Sequence, residues 1–212
     1  GFICDFTGTH PQVPGPVNCS RSGLETGVRT IFKALTDPSI PTNEGCFRPL
    51  KIICPNRTIF TAERPAAVST YWETVLYVSD LVWKAMAPIV PDRLPAGHFL
   101  SICGVVLAGN HPDTGELFLL VEPQAGGWGA GHDKDGESGL VSVGDGETYI
   151  IPVEVCETRY GVLVDQYGFD ICEGGAGRYR GGRGLVRDYQ ITANEAWYTG
   201  TFGRHKFMPW AM

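Results

Sequence analysis

Glycine is concentrated in two stretches of this chain, and they limit where regular structure can form. Residues 126–146 hold eight of the 28 glycines, mixed with acidic residues, and show no periodic apolar pattern. A loop of that length inside a compact domain is usually functional or mobile. Residues 174–184 hold a second run, which we interpret as a pair of glycine turns that lead into a strand. The helices and the other strands must therefore lie outside these two stretches.

Apolar periodicity in the rest of the chain predicts an α+β fold of mainly antiparallel strands with two principal helices. Helical spacing runs from Ser20 to Asp37 and from Ser69 to Ala87, and prolines follow both segments. The predicted strands lie at 2–6, 48–54, 98–107, 116–122, 149–155, 161–167, 185–192 and 197–202. The third and fourth flank a turn at 110–115 and should form an antiparallel hairpin. No repeat or linker divides the chain, so residues 1–212 form one segment.

Composition excludes several functional classes. A net charge of -6 gives no basic surface for nucleic acid. No apolar stretch approaches the roughly 20 residues of a membrane span. The seven cysteines form no C-x-x-C pair and are odd in number, which is typical of reduced thiols in a cytoplasmic protein. Among them, only Cys46 lies in a polar turn where a reactive thiol would be expected.

The end of the first predicted strand carries a polar cluster of Asp5, Thr7, Gly8, Thr9 and His10. Its hydroxyls and backbone N–H groups could hold an anion or a substrate amide, and the glycine lets backbone approach a ligand closely. The alternative is a turn in which these side chains only satisfy their own backbone.

Two further segments are candidate parts of a site. Glu44 lies in a turn and would be a general base if burial raised its pKa toward neutrality, or else a solvated carboxylate. The loop Gly126-Gly127-Trp128-Gly129 could form the wall of a pocket, with Trp128 stacking on a planar ligand. The alternative for this loop is a flexible surface segment with one anchoring tryptophan.

Three arginines in the second glycine run, Arg178, Arg180 and Arg183, are candidates for contact with a phosphate or a partner subunit, because the planar guanidinium suits both. The run lacks the Lys-Ser/Thr ending of a P-loop. The five histidines are scattered, and none has the spacing of a known metal-ligand pair. We therefore predict no complete metal site within the chain.

Several motifs occur together in an order that resembles the hydantoinase B/oxoprolinase family. They are Ile-Cys-Asp-Phe-Thr-Gly-Thr-His-Pro-Gln-Val-Pro-Gly-Pro-Val-Asn-Cys-Ser at 3–20, Pro-Thr-Asn-Glu-Gly-Cys at 41–46, Ala-Gly-Gly-Trp-Gly-Ala at 125–130, Pro-Val-Glu at 152–154 and the glycine-rich run at 173–189. Members of that family are more than twice as long. The resemblance therefore implies a carboxyl-side portion of a larger subunit, whose other part carries a His- and Asp-rich segment for a divalent metal such as zinc or manganese.

The resemblance also implies an activity. Family members include N-methylhydantoinase B-like subunits and other ATP-dependent hydrolases of cyclic amides such as hydantoin, oxoproline and lactams, and also acetone- and acetophenone-type carboxylases. A hydantoinase A-type ATPase partner would bind ATP with Mg²⁺ and phosphorylate a carbonyl or enolate oxygen within a hetero-oligomer. Asp5 or Glu44 would be the catalytic base, and the Thr7–Thr9 and Gly126–Gly129 segments would hold the substrate.

Two alternatives follow from departures in the sequence. Residues 141–150 replace the Thr- and Asn-rich run of many members, which leaves hydrolase and carboxylase both open. The chain could instead be a non-catalytic assembly domain, in which the arginine-rich turn and the aromatic segment from Trp197 to Trp210 bind the ATPase partner.

Overall fold

The computed structural model describes residues 1–146 and 148–212, and its three helices and seven strands confirm the α+β class. In chain order the elements are β1 (Phe2–Asp5), α1 (Arg21–Leu35), β2 (Leu50–Ile53), α2 (Tyr71–Met86), β3 (Gly104–Asn110), β4 (Leu117–Glu122), α3 (Val153–Arg159), β5 (Val162–Phe169), β6 (Leu185–Ile191) and β7 (Ala196–Thr201). The described strands form a β1-β2 pair, a three-stranded sheet of order β4-β3-β7, and a β5-β6 hairpin. Both principal helices lie where apolar spacing predicts them.

The first unit of the fold is a parallel pair with a helical crossover. β1 and β2 pair in parallel, and α1 connects them, as parallel strands require a long connection. The hydroxyl of Ser20 caps α1 by accepting from the backbone N–H of Gly23 at 3.4 Å. α2 packs closely on α1 at Gly27, where a Cβ atom would lie 2.9 Å from the carbonyl oxygen of Val75. Glycine is required here by close approach of the two backbones.

The hairpin of β3 and β4 is confirmed, with an antiparallel register from Val105↔Glu122 to Asn110↔Leu117. Its first strand is shorter than predicted, because Leu100 and Cys103 have φ of 73° and 50°, values that a strand does not accommodate. β7 completes the sheet on the other side of β3, also antiparallel. The chain therefore returns to this sheet after forming the β5-β6 hairpin.

The strand predicted at 149–155 is wrong. Residues 153–159 form α3, and Pro152 occupies its N-cap position. The β-branched residues of this segment favour a strand, but proline lacks a backbone donor and fits the start of a helix better than the interior of a sheet. Cys156 is fully buried and packs against β5 and the three-stranded sheet, which holds the short helix in place.

The interior has two apolar clusters. One lies between the helices and the β1-β2 pair and contains Leu24, Val28 and Trp83. The other lies beneath the three-stranded sheet and contains Leu107, Leu120 and other residues of β3, β4, α3 and β5. Together they place the glycine-rich loop of residues 126–146 beside both units, since Trp128 packs against the first cluster and Gly126 borders the sheet.

The three-stranded sheet is apolar on both faces but covered on only one. Along β4 the inward side chains of Phe118 and Leu120 are buried, whereas Leu117 and Leu119 are 77% and 58% exposed. Trp197, which shares the outer face because it and Leu119 both pair with Ala108, is 63% exposed. Strands with apolar side chains on both faces are typical of a sheet that is buried on both sides.

All seven cysteines are unpaired, and Cys4, Cys19 and Cys156 are buried in the core. Burial raises the pKa of Cys19 to about 12, so this thiol is inert as a nucleophile. Among the described residues, no helix combines the length and the apolar character needed to cross a membrane.

Candidate functional site

The polar cluster after β1 forms a turn that satisfies its own backbone. The backbone N–H of Thr7 donates to Oδ1 of Asp5 at 2.9 Å, and the hydroxyl of Thr9 donates to the carbonyl of Phe6 at 2.7 Å. Gly8 has a φ of +90°, which only glycine adopts readily. The hydrogen bonds from Thr7 lower the pKa of Asp5, which keeps this exposed carboxylate ionised and makes it a weak base.

Glu44 lies in the turn between α1 and β2, with its side chain 82% exposed. Its carboxylate pairs with the guanidinium of Arg29 at 3.0 Å, and Arg29 also lies over the ring of Phe47. The side chain of Glu44 is therefore open to solvent in this chain. Its role as a base stays a prediction that depends on another surface enclosing it.

The loop Gly126–Gly129 packs against the second glycine run. The backbone N–H of Gly182 donates to the carbonyl of Trp128 at 2.8 Å, and that of Gly136 donates to the carbonyl of Arg180 at 2.8 Å. A side chain on Gly126 would lie 2.6 Å from the ring of Phe99, and one on Gly127 would collide with the carbonyl of Gly182. Glycine is therefore needed in both stretches because their backbones lie in direct contact.

Trp128 is half-buried, and contacts at its indole nitrogen and around its ring hold it in place. Its indole N–H donates to the carbonyl of Val141 at 2.9 Å, and its ring lies 4.8 Å from the ring of His98 and 5.7 Å from that of Trp83. It lines two open cavities, of about 450 and 400 Å³. Its stacking on a ligand stays a prediction, and its observed role is to anchor the loop.

A larger cavity, of about 830 Å³, lies between the three-stranded sheet and β6, with Gly126 and Gly127 forming part of its wall. Its walls are mostly apolar or aromatic, and Gln124, Arg187, Asp188 and Tyr198 contribute polar groups. The side chains of the apolar wall are those of Phe99, Val105, Leu107, Leu185, Tyr189, Ile191 and Phe202. A large apolar cavity with a few polar groups is the usual form of a small-molecule site.

A buried ion pair lies behind this cavity. Glu122 of β4 and Arg187 of β6 have side chains that are 1% and 3% exposed, and Nη1 of Arg187 lies 2.8 Å from Oε2 of Glu122. Glu122 also accepts from the hydroxyl of Tyr189 at 2.8 Å and from the backbone N–H of Ile151 at 2.8 Å. The pKa of Tyr189 is raised mainly by burial and secondly by the hydrogen bond to Glu122. Its hydroxyl therefore remains a donor. The sequence analysis did not identify this pair, although Glu122 lies on the buried face of β4 in the alternating pattern of that strand.

The predicted site residues therefore divide between separate places. Asp5 borders a cavity of about 330 Å³ beneath α2, with Leu81 and Met86, whereas Gly126 and Gly127 border the 830 Å³ cavity. The structure does not bring the Asp5 turn and the glycine loop to one cavity.

Family assignment follows from the sequence as a whole. The sequence profile of the hydantoinase B/oxoprolinase family matches residues 1–212. The chain belongs to the hydantoinase B/oxoprolinase family. The match covers β1 through β7, so the cavity and the buried ion pair both lie within the matched region.

Two relatives show how the chain compares with other members of the family. An uncharacterised protein of Methanocaldococcus jannaschii is 34% identical over 98% of this chain and 36% of its own length. A Pseudomonas protein, named for a proposed role as the B-type component of a D-/L-hydantoinase, is 28% identical over 97% of this chain and 35% of its own length. The chain thus spans about a third of the length of these two relatives.

Two solved structures share the fold. The nucleotide-free structure of acetone carboxylase superposes with a TM-score of 0.80 at 19% identity, over 93% of this chain and 27% of that chain. The ATP-dependent caprolactamase from Pseudomonas jessenii gives a TM-score of 0.80 at 24% identity, over 95% of this chain and 36% of that chain. This hydantoinase B-type fold therefore also occurs as part of much longer chains.

The three arginines of the hydantoinase B segment have different surroundings. Arg180 pairs with Glu173, and the guanidinium of Arg183 donates to the carbonyl of Asp170 and lies near the ring of Phe169. Arg178 lies beside the ring of Tyr179 and lines the 450 Å³ cavity. Of these three arginines, Arg178 is the one whose guanidinium forms no ion pair or hydrogen bond within the described part of the chain.

Across residues 1–146 and 148–212, no group of three or more His, Cys, Asp or Glu side chains lies close enough together to hold a metal ion. The divalent metal implied for the family therefore does not fit the described residues of this chain.

His98 is fully buried among Trp83, Phe99 and Trp128, and burial lowers its pKa to about 4. The imidazole of His98 is protonated near pH 6.5 in the unfolded chain but only near pH 4 in the folded chain. The stability of the folded chain therefore falls as the pH drops between these values. Between pH 7 and 5 we expect His98 to account for a loss of about 2 kcal/mol.

Urea unfolding of the chain and of His98→Gln at the two pH values measures this loss. The His98→Gln variant should show a smaller pH dependence, because glutamine does not titrate. His205→Gln is the control, since His205 is exposed and should leave the pH dependence unchanged. Equal pH dependence in the chain and in His98→Gln would contradict the neutral buried imidazole.

Proposed function

We propose that this chain is the substrate-side segment of an ATP-dependent enzyme that hydrolyses a cyclic amide, such as a hydantoin, oxoproline or a lactam, together with a hydantoinase A-type ATPase subunit. The observation that carries the proposal is the family match over the whole chain. The names of the Pseudomonas hydantoinase component and of the ATP-dependent caprolactamase support this substrate class. The seven unpaired cysteines agree with action in the cytoplasm.

The 830 Å³ cavity supports a small ring-shaped substrate. Its apolar walls exclude water from a ring, and Gly126 and Gly127 form part of the wall. An amide carbonyl resists attack by water. The ATPase partner, which binds ATP with Mg²⁺, would phosphorylate the carbonyl oxygen and so make the carbonyl carbon electrophilic. The role of this chain would be to bind and orient the ring for that transfer.

The catalytic base remains a separate proposal. Asp5 and Glu44 are both exposed in this chain, and neither borders the 830 Å³ cavity. Either carboxylate could act as a base only where another surface encloses it and raises its pKa. The ATPase partner and the remainder of the longer subunit, which would also carry any divalent metal, are the surfaces that we propose.

The test is ATP hydrolysis by the complete complex of this protein with its ATPase partner. We expect cyclic amides to stimulate ATP turnover, and Asp5→Asn or Glu44→Gln to abolish that stimulation while the complex stays assembled. Stimulation by a ketone with bicarbonate, and not by amides, would replace the hydrolase with a carboxylase, for which the acetone carboxylase fold is the precedent. No coupled turnover with either substrate class would overturn both.

An assembly role is favoured by the outer face of the three-stranded sheet, where Leu117, Leu119, Val121 and Trp197 are exposed together. Because these side chains carry no charge, the face resembles the core of a permanent interface more than a transient one. We propose that the remainder of the longer subunit covers it, since the family fold occurs in chains about three times as long. Loss of assembly in Trp197→Ser, with Asp5→Asn and Glu44→Gln fully active, would favour assembly alone.

A further inference from the structure

The parallel pair of β1 and β2 has an open edge along β1. The backbone N–H of Phe6 donates to the carbonyl of Ile53 at 2.8 Å, so the backbone groups of Phe6 point toward β2. These groups alternate in direction along a parallel strand, and those of Ile3 and Asp5 therefore point away from β2. Within residues 1–146 and 148–212, no backbone hydrogen bond from another segment reaches this edge.

The opposite edge of the pair, along β2, is occupied by the chain itself. The backbone N–H of Leu50 donates to the carbonyl of Phe47 at 3.0 Å, and the guanidinium of Arg21 donates to the carbonyl of Ile52 at 2.9 Å. Covering an edge with a turn or a charged side chain is a common way to keep other strands from pairing there. A third strand can therefore join at β1 more readily than at β2.

A groove of about 330 Å³ runs along the open edge. Residues 2–6 line one side, and α2 lines the other with Leu81, Val82, Ala85 and Met86. Leu81 is 49% exposed, and Ala85, one helical turn further along, is also exposed. A strand that joins a sheet edge gains main-chain hydrogen bonds and places alternate side chains in pockets beside that edge. The groove has the position and the apolar lining of such a pocket.

A parallel sheet of two strands is also incomplete on physical grounds. Parallel sheets are covered on both faces, and two-stranded sheets are marginal in water. Here the helices cover one face, because Cys4 is buried against them while Ile3, on the other face, is 64% exposed. The chain spans 36% of the Methanocaldococcus jannaschii relative and 36% of the caprolactamase chain. Proteins of this kind therefore have further residues that can supply a strand.

We propose that an extended apolar segment from the remainder of the longer subunit pairs with the open edge of β1. Its backbone bonds to the N–H and C=O groups of Ile3 and Asp5, and its alternate side chains fill the groove against Leu81 and Ala85. This pairing goes beyond the proposed function, since it is the same for a hydrolase, a carboxylase or an assembly domain. The added strand also covers Asp5 from its open side, which is the enclosure that the proposed base requires.

Amide hydrogen exchange in the complete subunit, labelled with ¹⁵N-isoleucine, tests the pairing. We expect the amide of Ile3 to exchange at least about 100-fold more slowly than an unstructured amide. Ile53, whose backbone faces β1, should be protected as well. The amide of Ile52 faces the opposite edge and should exchange fast. An Ile3 amide that exchanges as fast as that of Ile52 would overturn the proposal.

Matched leucine variants link this protection to the groove. Leu81→Asp places a charge among the apolar side chains and should return Ile3 to fast exchange. Ile53 should stay protected in the same variant, which shows that β1 and β2 still pair. Leu163→Asp is the control, since Leu163 of β5 is 41% exposed and lies outside the groove. Slow exchange at Ile3 that survives Leu81→Asp would contradict seating of the strand in the groove.

The occupant is identified by repeating the measurement with the ATPase partner and at low and high protein concentration. Protection in the subunit alone, unchanged by concentration, supports a strand from the same polypeptide. Protection that requires the ATPase partner, or that rises with concentration, would assign the edge to that partner or to a second copy and overturn the proposal. None of these readouts depends on ATP turnover, so the pairing and the proposed function can fail separately.

Discussion

Replacing Arg187 with methionine should lower the free energy of unfolding by about 3–5 kcal/mol, the usual result of removing one partner of a buried ion pair. Glu122 would then be a buried carboxylate, 1% exposed, without its counter-charge. The bonds from Ile151 and Tyr189 soften this cost but do not neutralise the charge. Urea unfolding at pH 7 measures the change.

Two controls sharpen this prediction. Arg178→Met removes an exposed guanidinium that forms no ion pair with a carboxylate of residues 1–146 or 148–212, and we expect a change within about 0.5 kcal/mol. Glu122→Gln combined with Arg187→Met should be more stable than Arg187→Met alone, because no charge is left buried. A loss of under about 1 kcal/mol in Arg187→Met would show that the pair contributes no more than a surface ion pair.

Replacing Arg204 with methionine should cost a similar amount, toward the lower end of about 3–5 kcal/mol. Arg204 and Asp80 have side chains that are each 8% exposed, and the guanidinium donates to both carboxylate oxygens, at 2.7 and 3.2 Å. The indole N–H of Trp210 still donates to Asp80 at 3.0 Å, which offsets part of the loss. Because these bonds hold the segment after β7 on α2, the variant should also expose that segment to protease.

Limited proteolysis and urea unfolding together test the role of Arg204. The control is Lys206→Met, since Lys206 is exposed and its ammonium lies beside the ring of Phe207. We expect this control to unfold and to resist protease as the unmodified chain does. Equal protease resistance in Arg204→Met would mean that the aromatic contacts of Trp210 with Trp83 hold the segment without the ion pair.

Much of the fold was predictable because its signals are local. The spacing of Leu24, Val28 and Ile31 identifies α1, and Ser20 marks its first turn. The turn at 110–115 between two apolar runs identifies the β3-β4 hairpin. The strand predicted at 149–155 was wrong because the prediction followed the β-branched residues of this segment. Pro152 at the N-cap and burial of Cys156 against the sheet favour α3 instead.

The candidate site was less predictable, because it depends on contacts between distant positions. The sequence predicts that residues 126–129 form the wall of a substrate pocket. Gly126 and Gly127 border the cavity of about 830 Å³, and binding of a substrate there stays a prediction. Glu122, Arg187 and Tyr189 were missed, because nothing near each residue in sequence announces a partner more than 60 positions away. The sequence predicts catalytic roles for Asp5 and Glu44, but both residues are exposed in this chain.

Local properties of the sequence were enough to predict four features. The order of the motifs indicates the family, apolar periodicity indicates the two principal helices and the hairpin, and glycine content indicates where two backbones approach closely. The tertiary structure alone decided which polar residues are buried together. Pairing of β4 with β3 positions Glu122, pairing of β6 with β5 positions Arg187, and the packing of these elements buries the two side chains together. Their charges then become strong interactions because water is removed from around them.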